Sequence, residues 1–174
     1  MERLKKFEIW SAVGTIVIGS LLHFVYGWSG NLKPVAFFGA VNESTWEHLK
    51  LAFWPAFIFS AIAYYSIGRN VPNFCLAQAK KLFVMPVFII LVFYASLATV
   101  GDFFLIDIAN FIVAVILGHI LAYRLETARK VWGFKTISAM MTVLLLLAFS
   151  LFTYFPPKNF LFKDPVLGGY GIEK

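Results

Sequence analysis

The side chains able to bind a metal or move a proton are few in this 174-residue chain: nine acids and three histidines. Six of them fall near the ends of hydrophobic stretches: His23, Glu43, Glu47, His48, Asp102 and Asp107. Glu43 and Glu47 are four residues apart, so on a continuous helix they share a face. Like charges at that spacing repel by a few tenths of a kcal/mol in water, and by more where water is scarce. Three arrangements relieve the repulsion. A divalent ion such as zinc can bind both carboxylates, with His23 or His48 as nitrogen donors and Asp102 or Asp107 completing an N/O site. The two carboxyls can share a proton, which gives Glu43, Glu47 and His48 the roles of general acid and base. Alternatively, the positive end of a helix, a capping box and Lys50 neutralise them with no chemistry at all.

Those residues have to be positioned by apolar elements. Hydrophobic residues make up 60% of the chain and charged residues 14%. Water-soluble domains carry about 45–50% and ~25%, so a soluble globule is excluded. Five stretches approach the ~20 apolar residues needed to cross a bilayer: 9–26, 49–67, 82–100, 103–123 and 132–154. The expected architecture is all-α, a polytopic bundle of five transmembrane helices in the cell membrane. Residues 1–154 form the transmembrane domain, and residues 155–174 form an extracytoplasmic tail.

The net charge of +6 reflects orientation rather than a nucleic-acid partner. Basic residues crowd the N-terminus (Arg3, Lys5, Lys6), the second connection (Arg69, Lys80, Lys81) and the fourth (Arg124, Arg129, Lys130, Lys135). The first connection and the start of span two offer Lys33 and Lys50, and the third connection offers none. The positive-inside rule therefore places the N-terminus in the cytoplasm and the C-terminus outside. The basic start followed by a long apolar run reads as a retained first span rather than a cleaved signal. Cys75 is the only cysteine, which rules out an internal disulfide.

Several local signals add detail. Residues 32–41 are too short and too mixed to cross, and suit a segment at the interface or dipping into the bundle. Ser44-Thr45-Trp46-Glu47 fits a capping box opening span two. Pro55 and Pro86 fall inside spans two and three, where either is able to kink its helix. Ala114, Gly118 and Ala122 form a small-residue stripe, available for packing within the monomer or in a homodimer. The tail carries Phe160, Leu161, Phe162, Val166, Leu167, Tyr170 and Ile172, so it is expected to fold back on the outer end of the bundle. Trp46 reads as an interfacial belt residue. Asp107 and Asn110 lie one turn apart at the start of span four. His119 lies about 18 Å further along that helix, too far to join the outer group.

The runs 23–30 (His-Phe-Val-Tyr-Gly-Trp-Ser-Gly) and 40–51 (Ala-Val-Asn-Glu-Ser-Thr-Trp-Glu-His-Leu-Lys-Leu) resemble a family of small, uncharacterised bacterial integral membrane proteins with an Asn-Glu-Ser-x-Trp-Glu-His signature. The ending Asp164-Pro165-Val166-Leu167-Gly168-Gly169-Tyr170-Gly171-Ile172 is similar to that family's as well. The resemblance implies a shared architecture and no activity.

Three functions remain open. The first is a metal-dependent or acid–base hydrolase or transferase acting on a lipid-like, amphipathic substrate. The second is a cation- or proton-linked transporter, with His119, Tyr94, Ser96 and Thr99 lining a path; a shortage of polar residues in the inner halves of the spans weighs against it. The third is a binding or accessory protein in which Glu43 and Glu47 serve as cap residues. No nucleophile motif such as Gly-x-Ser-x-Gly is present, so a covalent mechanism is disfavoured.

Overall fold

A computed structural model describes residues 1–172. It holds five α-helices: α1 (Glu2–Trp28), α2 (Thr45–Ser66), α3 (Phe74–Thr99), α4 (Phe104–Thr127) and α5 (Lys135–Leu151). Two single 3₁₀ turns, Val35–Phe37 and Gly68–Asn70, lie in the first and second connections. Among the described residues there is no strand, and Lys163 and Tyr170 form an isolated antiparallel bridge.

Helices α1 to α4 are each long and apolar enough to cross a membrane, whereas α5 has 17 residues. At 1.5 Å per residue α5 covers about 25 Å, short of the ~30 Å hydrocarbon core. The expected stretch 132–154 is thus trimmed at both ends. Gly133 adopts a φ of +87° ahead of the helix, and the helix stops at Leu151, before Pro156 and Pro157.

Helix α1 packs on α2 and α4, and α3 packs on the same two, which closes a four-helix ring; α5 lies outside it against α3. The outside of the ring is apolar, and α1 turns a polar face inward. Helix α1 buries Glu8, Ser11, Thr15 and Gly19 while exposing Ile9, Trp10, Val13, Val17, Leu21 and Phe24. A soluble helix shows the opposite pattern. Apolar side chains on the outer face suit a hydrocarbon surround.

The middle of the ring is sealed by a core that includes Leu49, Phe53, Trp54, Leu82, Met85 and Val115. The small-residue stripe serves the contact between α3 and α4: a Cβ on Gly118 would stand 2.5 Å from Met85 Cγ. Ala114 and Ala122 are fully buried beside it, so the stripe is not a free face for a second copy. Pro55 and Pro86 both sit within unbroken helices. The 3₁₀ turn at Val35–Phe37 buries Ala36 completely and sets Phe37 against Trp54, ring centroids 4.5 Å apart.

The tail lies against the start of α2. Trp46 N donates to Leu161 O at 3.0 Å, and Asn42 Nδ2 donates to Gly171 O at 3.0 Å. Gly171 has a φ of +62°, and a Cβ there would come within 2.7 Å of Thr153 O, so only glycine fits. Trp46 is not the lipid-facing belt residue expected of it. Its ring centroid lies 4.7 Å from those of both Phe149 and Phe162, which binds α2 to α5 and the tail.

Candidate functional site

Three side chains expected to be ligands converge where α1 ends and α2 begins. Ser44 caps α2 in extended conformation, and its hydroxyl accepts from Glu47 N at 3.4 Å. The return half of the capping box is not made, because Ser44 N donates to Asn42 Oδ1 at 2.9 Å. Glu43 precedes the helix, so it does not share a helical face with Glu47. The two carboxylates diverge, and the repulsion expected between them is relieved by separation into two environments.

Glu43 joins the histidines. One ligand atom from each of His23, Glu43 and His48 lies within 4.8 Å of the other two. The closest approaches are His48 Nε2 to Glu43 Oε2 at 3.4 Å and His23 Nε2 to Glu43 Oε1 at 3.9 Å. The edge of a tetrahedron with bonds of 2.0–2.1 Å is about 3.4 Å, so small side-chain adjustments would bring all three onto one zinc-sized ion. His48 Nδ1 lies 3.0 Å from Ser44 O. Nε2 faces the Glu43 carboxylate, to which it donates when the ring is protonated and beside which it would offer a lone pair to a metal when it is not; a carbonyl can only accept, so Nδ1 carries a proton donated to Ser44 O. This is the outer contact that orients metal-ligating histidines. His23 Nδ1 is buried without a hydrogen-bond partner, and the two imidazole rings lie 5.2 Å apart.

The Glu43 carboxyl is held below its ordinary range. The His48 contact is the main cause; partial burial opposes it, and the charges of both imidazoles add to it. Glu43 is therefore ionised at neutral pH, as a ligand must be. It is also half exposed, which leaves the site open on one side.

Glu47 has a different fate. Its side chain is 2% exposed and forms an ion pair with the fully buried Lys50 at 2.6 Å. Thr153 Oγ1 donates to its other oxygen at 2.9 Å, and Val41 N donates at 3.1 Å. Lys50 Nζ in turn donates to Ala36 O and Thr153 Oγ1, each at 2.8 Å. Both charges are saturated by protein, and the knot joins α2 to the first connection and to the segment after α5.

Asp102 and Asp107 do not join the ligand trio. Asp107 is half-buried and lies within electrostatic range of Asp102 and His48. Asn110 donates to Ile89 O at 3.0 Å, tying α4 to α3. Of the side chains considered for a path, Ser96 and Thr99 hydrogen-bond to carbonyls of their own helix. Tyr94 OH meets Thr45 Oγ1 at 3.1 Å.

The opposite end of the ring holds a second polar group that the sequence reading missed. Glu8, Lys81, His119 and Glu126 are each at most 3% exposed. Glu8 Oε2 lies 2.5 Å from His119 Nδ1 and 3.6 Å from Lys81 Nζ. Gln78 Nε2 donates to Glu8 Oε1 at 3.0 Å and to Glu126 Oε1 at 2.6 Å. The expected shortage of polar residues in the inner halves of the spans is thus incorrect. A cleft of about 300 Å³ between α2, α3 and α5 reaches Gln78 and Ser60 at this end, away from His23.

The residues were missed because the expected stretches began at 9 and 82 and ended at 123, which left Glu8, Lys81 and Glu126 in connections. The helices run further, and 8-11-15, 78-81 and 119-126 are then same-face spacings.

Residues 1–172 match the model of a family of unknown function (DUF6512), and the chain belongs to that family. No curated protein and no solved structure matches the chain.

Proposed function

We propose that this is a multi-pass protein of the cell membrane that binds a divalent metal, zinc foremost, through His23, Glu43 and His48. The observation that carries the reading is the approach of three ligand atoms to within 4.8 Å of one another, with His48 already oriented by Ser44 O. Two imidazoles and one carboxylate, with a fourth position free, make up the ligand set of hydrolytic zinc sites. The half-exposed Glu43 supports such an open position.

The charges that remain free support one sidedness. Lys50 and Lys81 are buried partners of acids and drop out of the positive-inside comparison. Arg3, Lys5, Lys6, Arg69, Lys80, Arg124, Arg129, Lys130 and Lys135 are all exposed. They outnumber the exposed Lys33, Lys158 and Lys163 of the opposite end and favour a cytoplasmic N-terminus and an extracytoplasmic metal site. In this reading α5 completes a fifth crossing with the help of the apolar residues flanking it.

The proposed activity is hydrolysis or group transfer on a lipid-like, amphipathic substrate at the outer membrane surface. A bound metal would supply Lewis-acid polarisation of a carbonyl or phosphoryl oxygen and activate water. Among the protein's own groups, Asp107 stands near His48 and is available to accept a proton. The exposed rings of Phe24 and Trp28, one turn apart on α1 and stacked with centroids 5.7 Å apart, offer an apolar surface for a chain or headgroup edge.

The test is zinc binding by purified protein in detergent. Wild type is expected to hold stoichiometric zinc, Glu43→Gln to lose it and Glu47→Gln, if folded, to keep it. A wild type that holds no zinc after exposure to excess metal overturns the reading.

A further inference from the structure

Glu8 accepts from Gln78 on Oε1 and from His119 on Oε2, and the Lys81 ammonium stands 3.6 Å from Oε2. A carboxyl surrounded in this way is ionised, and Lys81 balances its charge. That leaves Glu126 and His119 to be settled. Glu126 Oε1 accepts from Gln78, but Oε2 is buried with no hydrogen-bond partner. A bare carboxylate oxygen in that position costs far more than a neutral acid.

His119 leads to the same arrangement. Its Nδ1 faces the Glu8 carboxylate and must carry a proton. Its Nε2 is buried without a partner. A lone pair is tolerated there, whereas an imidazolium beside ionised Glu126 would leave both an unpaired N–H and a bare carboxylate oxygen, against the single unpaired O–H of neutral Glu126. Geometry therefore selects neutral His119, protonated Glu126, ionised Glu8 and charged Lys81, with a net charge of zero. Among the described residues no further titratable side chain takes part in these contacts: α2 contributes Ser60, whose Oγ lies 2.7 Å from Gln78 Oε1.

One other arrangement is neutral: ionised Glu126 with protonated His119. The two differ only in where a single proton resides, at the last turn of α4 or two turns deeper, about 10 Å along the helix. Ser11 and Thr15 extend the buried polar face of α1 beyond Glu8, and both hydroxyls lack partners. Beyond them the ring closes at Gly19, where a Cβ would meet Leu51 O at 2.4 Å and the Phe111 ring at 2.8 Å. Polar groups thus enter from the Glu126 end and stop at the apolar core.

The geometry points to a second functional site here: a buried proton-binding site at the Glu126 end of the ring, holding one exchangeable proton on Glu126 Oε2, with His119 Nε2 as the alternative holder. Water at that end supplies the proton and receives it back; no bond other than O–H or N–H forms or breaks. The site is separate from the proposed metal centre and stands without it.

Infrared spectroscopy of the purified protein tests it. At neutral pH the wild type is expected to show a protonated-carboxyl C=O band that disappears in alkaline buffer. Glu126→Gln should remove the band, and the exposed-residue variant Glu2→Gln should keep it. Should Glu126→Gln fail to fold, Gln78→Asn, which withdraws the donor from Glu126 Oε1, is expected to shift the band's frequency. Absence of the band from wild type, its survival in Glu126→Gln, or an unmoved frequency in Gln78→Asn each overturns the proposal.

Discussion

The two ends of this bundle place the same side-chain types under opposite conditions. At the Glu126 end, two carboxyls, a lysine and an imidazole are shut inside the ring, and every charge answers to another. At the His23 end, a carboxylate and two imidazoles meet at a partly open surface, with no lysine or arginine paired to Glu43 among the described residues. Acids and histidines at the sealed end can do no more than hold a proton. The open end leaves a ligand room to bind. The same end shows how a carboxylate is withdrawn from chemistry: Glu47, four residues from Glu43, is occupied on both oxygens by Lys50, Thr153 and Val41.

This contrast predicts a ranked set of effects. The largest should come from Lys81→Met, which leaves the Glu8 charge buried without its balancing cation; a loss of about 3–5 kcal/mol is expected in unfolding from detergent. Adding Glu8→Gln to Lys81→Met should recover much of that loss, because a neutral pair no longer carries an unbalanced charge. A double variant no better than the single would show that the cluster is not organised around that pair.

Next in size is Gly118→Val. Its added carbons meet Met85 and Lys81, and overpacking of this kind costs about 1–3 kcal/mol, read as a fall in unfolding temperature. An unchanged unfolding temperature would mean that α3 and α4 are not in such close contact.

His48→Ala should be the mildest change in stability, at most about 1 kcal/mol, since His48 and the Glu43 carboxylate it meets are both partly exposed. Its zinc affinity, by contrast, should fall at least about tenfold, as expected when a ligand is removed. A variant as unstable as Lys81→Met would erase the distinction between the two ends. Zinc binding by wild type should also weaken as pH falls through the imidazole range, because protons compete for the same nitrogens. Binding that is indifferent to pH there would argue against histidine ligands.

Much of the architecture could be read from the sequence. Apolar length marks the four long helices, and Ser44 marks the start of α2 to the residue. The approach of His23 to Glu43 and His48 was also legible, since α1 and α2 are consecutive spans whose adjoining ends lie on one side. The division of labour between Glu43 and Glu47 was not. It depends on whether the helix begins before or after Glu43, and on Thr153, 106 positions from Glu47. The sealed cluster was hidden for a related reason. Charged residues within a turn or two of an apolar run look like loop residues, and only the packed ring shows Lys81 and Glu126 turned inward. Trp46 misled because an aromatic residue at a span end suits a lipid interface as well as it suits Phe149 and Phe162.

The most direct test of the metal centre is X-ray absorption at the zinc edge on wild-type protein loaded with zinc. The account predicts a four- to five-coordinate ion with imidazole nitrogen and carboxylate oxygen in its shell and no sulfur. A shell of oxygen alone, or one containing the Cys75 thiolate, would contradict it.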